Sequence, residues 1–364
     1  MAGTIGILTS GGDCPGLNAV IRAAAYRAVR GHGFKLIGIE NSTEGLVERP
    51  VAARELLPEA LEPHSLRDAG TMLGTTTRGD PFAYPMPDGT TQDRSAEMIE
   101  GVRTLGLDAL IAIGGDGSLR ILRRLAMACE LDMVGVPKTI DNDVAMTEVC
   151  VGFDTAMRVA TEALDALQPT AASHHRVMIL EVMGRDAGHI ALASGIAGGA
   201  DVILIPEIPY TIAGIARKLE RLRKAGRTSA LVVVAEGVPD ENGNPVTTRQ
   251  PGGQDTFGGI GQHLAHRLSE ETGARTRVTV LGHLQRGAAP SPRDRMIASA
   301  FGTHAVDLVA QGRFDRMVAW QNRSVIDVPL ADAVAQTRRV EHDGSLVATA
   351  RGLDISFGDG PEKP

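Results

Sequence analysis

A chain of 364 residues exceeds the usual size of a single hydrophobic core, so one large α/β domain or two interlocked domains is expected. Hydrophobic residues make up 43% and aromatics only 3%, with 43 glycines, a mix that suits helices packed on parallel strands rather than an all-β fold. The net charge of −7 counts against a general nucleic-acid binder, and three widely spaced cysteines without C-x-x-C spacing support neither a disulfide framework nor a zinc site.

Short apolar runs alternate with helical patterns along the chain. TIGILTS is followed by LNAVIRAAAYRAVR, where Pro15 and the apolar spacing predict a helix over residues 15 to 30. KLIGIE, ALIAIGG, SLRILRRLAMACE and MVGVP continue the rhythm, then RVMILEVMG, HIALASGIAGGA, DVILIPE, IARKLERLRKAG, SALVVVAEG, GIGQHLAHRLSEETG and RVTVLGH. Fully apolar strands alternating with helices mark doubly wound parallel sheets. Gly- and Pro-rich stretches at 70 to 90 and 239 to 259 read as loops. No apolar run approaches ~18 residues and no basic leader is present, so neither a membrane span nor secretion is expected; a reducing cytoplasm fits the cysteines.

Three stretches carry polar residues where strands end. In TSGGDCPGLNA, residues 9 to 19, Gly11 and Gly12 separate a strand from a helix whose N-terminus favours a phosphate, although a plain glycine turn fits as well. In IGGDGSLR, residues 113 to 120, the glycines admit a phosphate chain, Ser118 is placed to cap a helix, and Asp116 is placed to hold hydrated Mg²⁺; ordinary turn chemistry is the alternative. In GVPKTIDNDV, residues 135 to 144, an aspartate at a strand end suits proton abstraction from a hydroxyl, against the alternative of a polar turn with an Asx cap. Arg176, Arg185, Arg277 and Arg286 adjoin apolar strands and are expected to line a cleft that grips a phosphate monoester. His174, His175, His189 and His283 lack metal-ligand spacing.

TSGGDCPGLNAVIR, IGGDGS, PKTIDND, EVMGR and LGHLQRG, in this order, resemble the 6-phosphofructokinase family over most of residues 4 to 310. TIDND with MGR and GH-x-QRG is specific to that family, whereas GGDG alone is shared with NAD kinases and lipid kinases. The ending VATARGLDISFGD is similar to that of a bacterial group divided between ATP and pyrophosphate as donor. The resemblance implies two Rossmann-like doubly wound α/β sheet domains with exchanged segments and an active site in the cleft between them. Residues 1 to 152 plus about 285 to 335 would form a donor-phosphate and magnesium domain, and about 153 to 284 plus 336 to 364 a fructose 6-phosphate domain.

It further implies a donor-phosphate loop at Gly12, a magnesium aspartate at Asp116 within Gly115, Asp116, Gly117 and Ser118, and a catalytic base at Asp141. Fructose 6-phosphate contacts fall on Thr139, Ile140, Asp141, Met183, Gly184, Arg185 and Glu236. The 6-phosphate grip falls on His283, Leu284, Gln285 and Arg286, with Arg176 and Arg277 reaching in from a neighbouring subunit, hence a homodimer or homotetramer. Arg78 lies one position from the family's donor-phosphate arginine.

Two positions bear on the donor. Gly117 matches ATP users, whereas pyrophosphate users carry an aspartate there that repels the α-phosphate; Lys138 matches pyrophosphate users. An added carboxylate excludes a polyphosphate more strongly than an added ammonium does, so ATP is the expected donor and pyrophosphate the alternative. Part of the family's effector site is missing, because Tyr26 follows Arg22 one turn later on the first helix. An oxidoreductase is disfavoured by the absence of G-x-G-x-x-G, and a non-catalytic regulatory subunit by the presence of Gly12, Asp116 and Asp141.

Overall fold

The computed structural model describes residues 3–249 and 255–360. The chain forms two compact units, each made of two segments. Met1–Thr155 and Arg286–Thr337 make the first, and Ala156–Gln285 and Arg338–Pro364 make the second.

The elements follow the expected alternation. Strand β1 (Thr4–Thr9), helix α1 (Leu17–Tyr26), and strands β2 (Lys35–Ile39) and β3 (Ala53–Glu55) come first. Helix α2 (Ser95–Leu105), β4 (Ala109–Gly114), α3 (Asp116–Ala128) and β5 (Asp132–Pro137) follow. Helix α4 (Phe153–His174) leads into β6 (Val177–Val182), α5 (His189–Ala197), β7 (Val202–Leu204), α6 (Ile212–Lys224) and β8 (Ala230–Ala235). The remainder comprises α7 (Ile260–Thr272), β9 (Thr276–Val280), α8 (Pro292–Ala310), β10 (Arg316–Gln321), β11 (Ser324–Pro329) and α9 (Ser345–Gly352).

In the first unit seven strands lie in the order β11-β10-β5-β4-β1-β2-β3. The five central strands are parallel, and β11 and β3 run antiparallel at the two edges. Burial on both faces explains why TIGILT and ALIAIG carry almost no polar residue. Helix α3 seats Leu119, Leu122, Leu125 and Ala126 in the core at three- and four-residue spacing. In the second unit four parallel strands lie in the order β9-β6-β8-β7. Both sheets match the expected α/β class. No helix among the described residues is long and apolar enough to cross a membrane.

Several local expectations need correction. The first helix begins at Leu17 rather than residue 15, because Gly16 sits at φ 102°, outside the helical region. A Cβ on Gly16 would come within 2.8 Å of Val151 Cγ1, so only glycine fits this approach. The helix then continues through a π-helical turn, Arg27–His32. The loop at 70 to 90 contains a minimal hairpin, Tyr84–Pro85 with Thr91–Gln92. The loop at 239 to 259 contains the pair Thr247–Arg249 and Asp255–Phe257, with residues 250–254 outside the described residues.

Ser42, after β2, is an outlier with a measurable consequence. It is fully buried at φ 60° and ψ −135°, and its hydroxyl has no hydrogen-bond partner among the described residues. Glycine relieves both the backbone strain and the unpaired hydroxyl, partly offset by the greater freedom of the unfolded chain. Ser42→Gly is therefore expected to stabilise the protein by about 1 kcal/mol, read as a higher thermal midpoint; an unchanged or lower midpoint counts against the strain.

Candidate functional site

The first unit gathers three turns at the ends of its central strands. After β1 the chain turns at Gly11, whose φ is 85°. The amides of Ser10 and Gly11 donate to the carbonyls of Ile113 and Thr76, both at 2.9 Å, and Thr75 Oγ1 donates to the Gly11 carbonyl at 2.6 Å. The loop is thus pinned, while the Gly12 and Asp13 amides donate to no partner among the described residues. A Cβ on Gly12 would lie 3.0 Å from Arg286 Nη1, and that guanidinium donates to the Asp13 carbonyl at 2.8 Å.

After β4 the second turn enters α3. Gly115 occupies the cap position and Asp116 is already helical, so Ser118 does not cap the helix as expected. Instead Ser118 Oγ packs 2.7 Å from where a Cβ on Gly11 would stand. The first amides of α3 have no partner in their own helix, an anion-favouring end. Asp116 is partly buried, accepts from Thr337 Oγ1 at 3.3 Å and lies 3.7 Å from Arg120 Nη2. A Cβ on Gly117 would meet nothing within 4 Å, so the space beside this residue is open.

The third turn follows β5. Lys138 is only 2% exposed, and its Nζ donates to the carbonyls of Ser10 at 2.9 Å and Gly12 at 2.5 Å. Burial holds this ammonium below the usual lysine range, while Cys14 and the charges of Asp13 and Asp141 act the other way and Arg286 adds to the lowering. Burial likewise pushes the Cys14 thiol up to about 12, which keeps it protonated. Three residues on, the Asp141 amide donates to Thr139 Oγ1 at 3.1 Å, and that hydroxyl donates to Asp141 Oδ2 at 3.3 Å. Asn142, at φ 55°, fixes the turn from beyond, its Oδ1 accepting from the Cys150 amide at 2.9 Å. Ile140 is wholly buried.

The second unit carries another cluster. Glu236 Oε1 accepts from the amides of Gly184 at 3.3 Å and Arg185 at 3.2 Å, and Gln285 Oε1 accepts from the Met183 amide at 2.8 Å. Gly184 has φ 151°, and a Cβ there would meet the Ala187 carbonyl at 2.6 Å. Arg185 is held at φ 50° with an exposed side chain. His283 and Leu284 are also exposed.

The structure sorts the expected residues differently from their sequence order. Arg286 follows His283, Leu284 and Gln285 in the chain, yet its guanidinium sits on the glycine loop of the first unit. Arg185 and Arg277 are exposed on the single chain, and Arg176 is half-buried. Arg78 lies exposed on the loop beside Thr76, its amide donating to Thr76 Oγ1 at 3.2 Å. No group of three or more metal-ligating side chains occurs among the described residues.

Two organising carboxylates were missed from sequence. Asp294, fully buried, accepts from the amides of Gly152 at 2.9 Å and Thr155 at 2.8 Å; burial raises its carboxyl, partly offset by these bonds. The Ser291-Pro292-Arg293-Asp294 pattern at a helix start was the available signal, since Ser291 Oγ accepts from the Asp294 amide at 3.0 Å. Glu207 accepts from the amides of Gly188 and Val340, both partners distant in sequence.

The family profile described as Phosphofructokinase matches residues 4–309. The chain belongs to the phosphofructokinase family. A curated relative from a Synechocystis species, named ATP-dependent 6-phosphofructokinase 1, is 57% identical over 98% of this chain and 98% of its own length. One from Thermosynechococcus vestitus, named ATP-dependent 6-phosphofructokinase, is 48% identical over 99% of this chain and 94% of its own. Among solved structures, phosphofructokinase from Saccharomyces cerevisiae aligns with a TM-score of 0.76 at 29% identity, covering 98% of this chain and 48% of the yeast chain.

In this phosphofructokinase, His189 offers a test of the second unit. Its Nε2 donates to the Arg338 carbonyl at 3.2 Å, and burial, aided by the Arg338 charge, lowers the imidazole from 6.5 to about 4. Between those values the unfolded chain binds the proton that the folded chain refuses, so stability is lost as pH falls from 6.5 toward 4. Glutamine keeps a donor but cannot titrate. Urea midpoints taken at pH 7 and pH 5 should show the wild type losing about 1–2 kcal/mol more than His189→Gln; equal losses refute the assignment.

Proposed function

We propose that the chain transfers the terminal phosphoryl group of ATP to the 1-hydroxyl of fructose 6-phosphate, giving fructose 1,6-bisphosphate in glycolysis. The observation that carries this reading is the union, within one unit, of the pinned Gly11-Gly12 loop, the Asp116 helix start and the Asp141 turn, joined by Lys138 and Arg286. Full-length relatives named for the ATP-dependent reaction support the donor.

Unpartnered amides at Gly12 and Asp13 and at the start of α3 would cradle the donor phosphates. Asp116 fits Mg²⁺ as a single carboxylate beside a polyphosphate, the mode Mg²⁺ prefers over an all-protein cage. Asp116 would hold Mg²⁺, and the ion would supply neutralisation of the charge on the transferred group. Asp141 would take the proton of the 1-hydroxyl while Thr139 fixes its carboxylate, and the open space beside Gly117 leaves room for the α-phosphate. Met183, Gly184, Arg185, Glu236, His283, Leu284 and Gln285 in the second unit would contact the sugar phosphate. Arg286 would meet a phosphate beside the glycine loop it now rests on. Arg176 and Arg277 would complete the site of a neighbouring copy in a homodimer or homotetramer acting in the cytoplasm.

Lys138 has both of its observed bonds to loop carbonyls, which favours a structural clamp indifferent to the donor. The test is parallel incubation of fructose 6-phosphate and Mg²⁺ with ATP or pyrophosphate, following fructose 1,6-bisphosphate. Product with ATP is expected. Product only with pyrophosphate overturns the donor, and none with either overturns the activity.

A further inference from the structure

Parallel pairing of β6 with β9 sets Val177 opposite Thr276 and Met178 opposite Arg277. The ladder continues one step earlier, where the Val177 amide donates to the Arg275 carbonyl at 3.0 Å. Arg176 therefore stands beside Arg275, and Arg277, two residues on, falls on the same face of the strand. Thr276 turns the other way, its Oγ1 donating to the Ala265 carbonyl of α7 at 3.1 Å. The three guanidinium groups thus gather at β9, an edge strand of its sheet.

Among the described residues no carboxylate answers them. None of the three arginines forms an ion pair among the described residues; Arg277 donates only to the neighbouring Thr276 carbonyl at 2.7 Å. Arg176 Nε is buried without a hydrogen-bond partner among the described residues. Desolvation, then the charges of Arg277 and Arg275, hold Arg176 below the usual arginine range. Like charges opposite one another on adjacent strands destabilise a sheet, so this arrangement is relieved by an anion that takes several N–H donors at once. The planar fork of arginine matches a phosphoryl group in this way, bidentate and charge-assisted.

We infer that Arg275 is a third phosphate-gripping residue acting with Arg176 and Arg277, and that it sets the strength with which this face holds a phosphoryl anion. The identity of that anion as fructose 6-phosphate rests on the function proposed above, in which Arg176 and Arg277 have roles and Arg275 has none. The grip on phosphate itself rests on the arginine cluster alone.

The experiment uses the full chain, unaltered and as Arg275→Gln and Arg275→Lys. Affinities for fructose 6-phosphate and for inorganic phosphate are measured by titration calorimetry, and the assembly state by sedimentation velocity. Arg275→Gln is expected to weaken both ligands by about tenfold, the scale of one charge-assisted bond, with Arg275→Lys retaining part of the affinity and sedimentation unchanged. Unchanged affinity for both ligands overturns the inference. So does a loss accompanied by altered sedimentation, which makes Arg275 a contact between copies. If the unaltered chain forms no bisphosphate, the proposed activity fails, and the inorganic phosphate comparison still decides Arg275.

Discussion

Replacing Asp141 by asparagine is expected to lower kcat by about a thousandfold, the scale of a lost general base. Asparagine is nearly isosteric, and its backbone amide can still donate to Thr139 Oγ1, so the turn that presents the side chain should survive. What would disappear is the proposed capacity to take the proton of the attacking hydroxyl. If the contact proposed at Thr139 persists, the KM for fructose 6-phosphate should move by less than about threefold. A variant that keeps a tenth or more of the original kcat would remove Asp141 from the chemistry. A large loss accompanied by a lowered thermal midpoint would assign the residue to the buried turn instead.

The second large effect is expected at Gly117. A carboxylate placed there enters space that the chain leaves open, so Gly117→Asp should fold normally. It would stand beside the polyphosphate of the donor. A unit charge about 4 Å from another costs about 4 kcal/mol at an effective dielectric of 20, so even after screening a hundredfold or greater loss in kcat/KM for ATP is reasonable. Alanine at the same position carries no charge and should lose little. Equal losses in both variants would point to steric or backbone effects, and unchanged ATP use in Gly117→Asp would remove this residue from donor selection.

Much of the fold is legible in the sequence because parallel strands buried on both faces leave continuous apolar runs, as TIGILT and ALIAIG do. The turns at Gly11 and Gly115 are legible for the same reason, as glycines between an apolar strand and a periodic helix. Tertiary commitments are not. Lys138 looks in sequence like a cation for a ligand, yet the structure turns two carbonyls of a distant loop toward it. Ser118 has the chemistry of a cap but sits within the first turn, where its hydroxyl packs against Gly11 instead. His283 through Arg286 read as one motif, although Arg286 turns to another loop. Arg275 carries no signal at all, since its neighbour Arg176 is set by strand register and not by spacing along the chain.

The division of each unit into two segments constrains how the protein is made. On a ribosome, β1, β2, β4 and β5 emerge early, but the β5 edge at Val134 and Gly135 stays unpaired until Arg316 and Met317 arrive. The second unit is synthesised in the interval, and it in turn waits for Ser356 to bridge Val202. Neither sheet reaches its final form until nearly the whole chain is out. An N-terminal fragment ending near residue 155 would present a long apolar strand edge as a template for aggregation. A break in translation anywhere before β10 therefore leaves no working half.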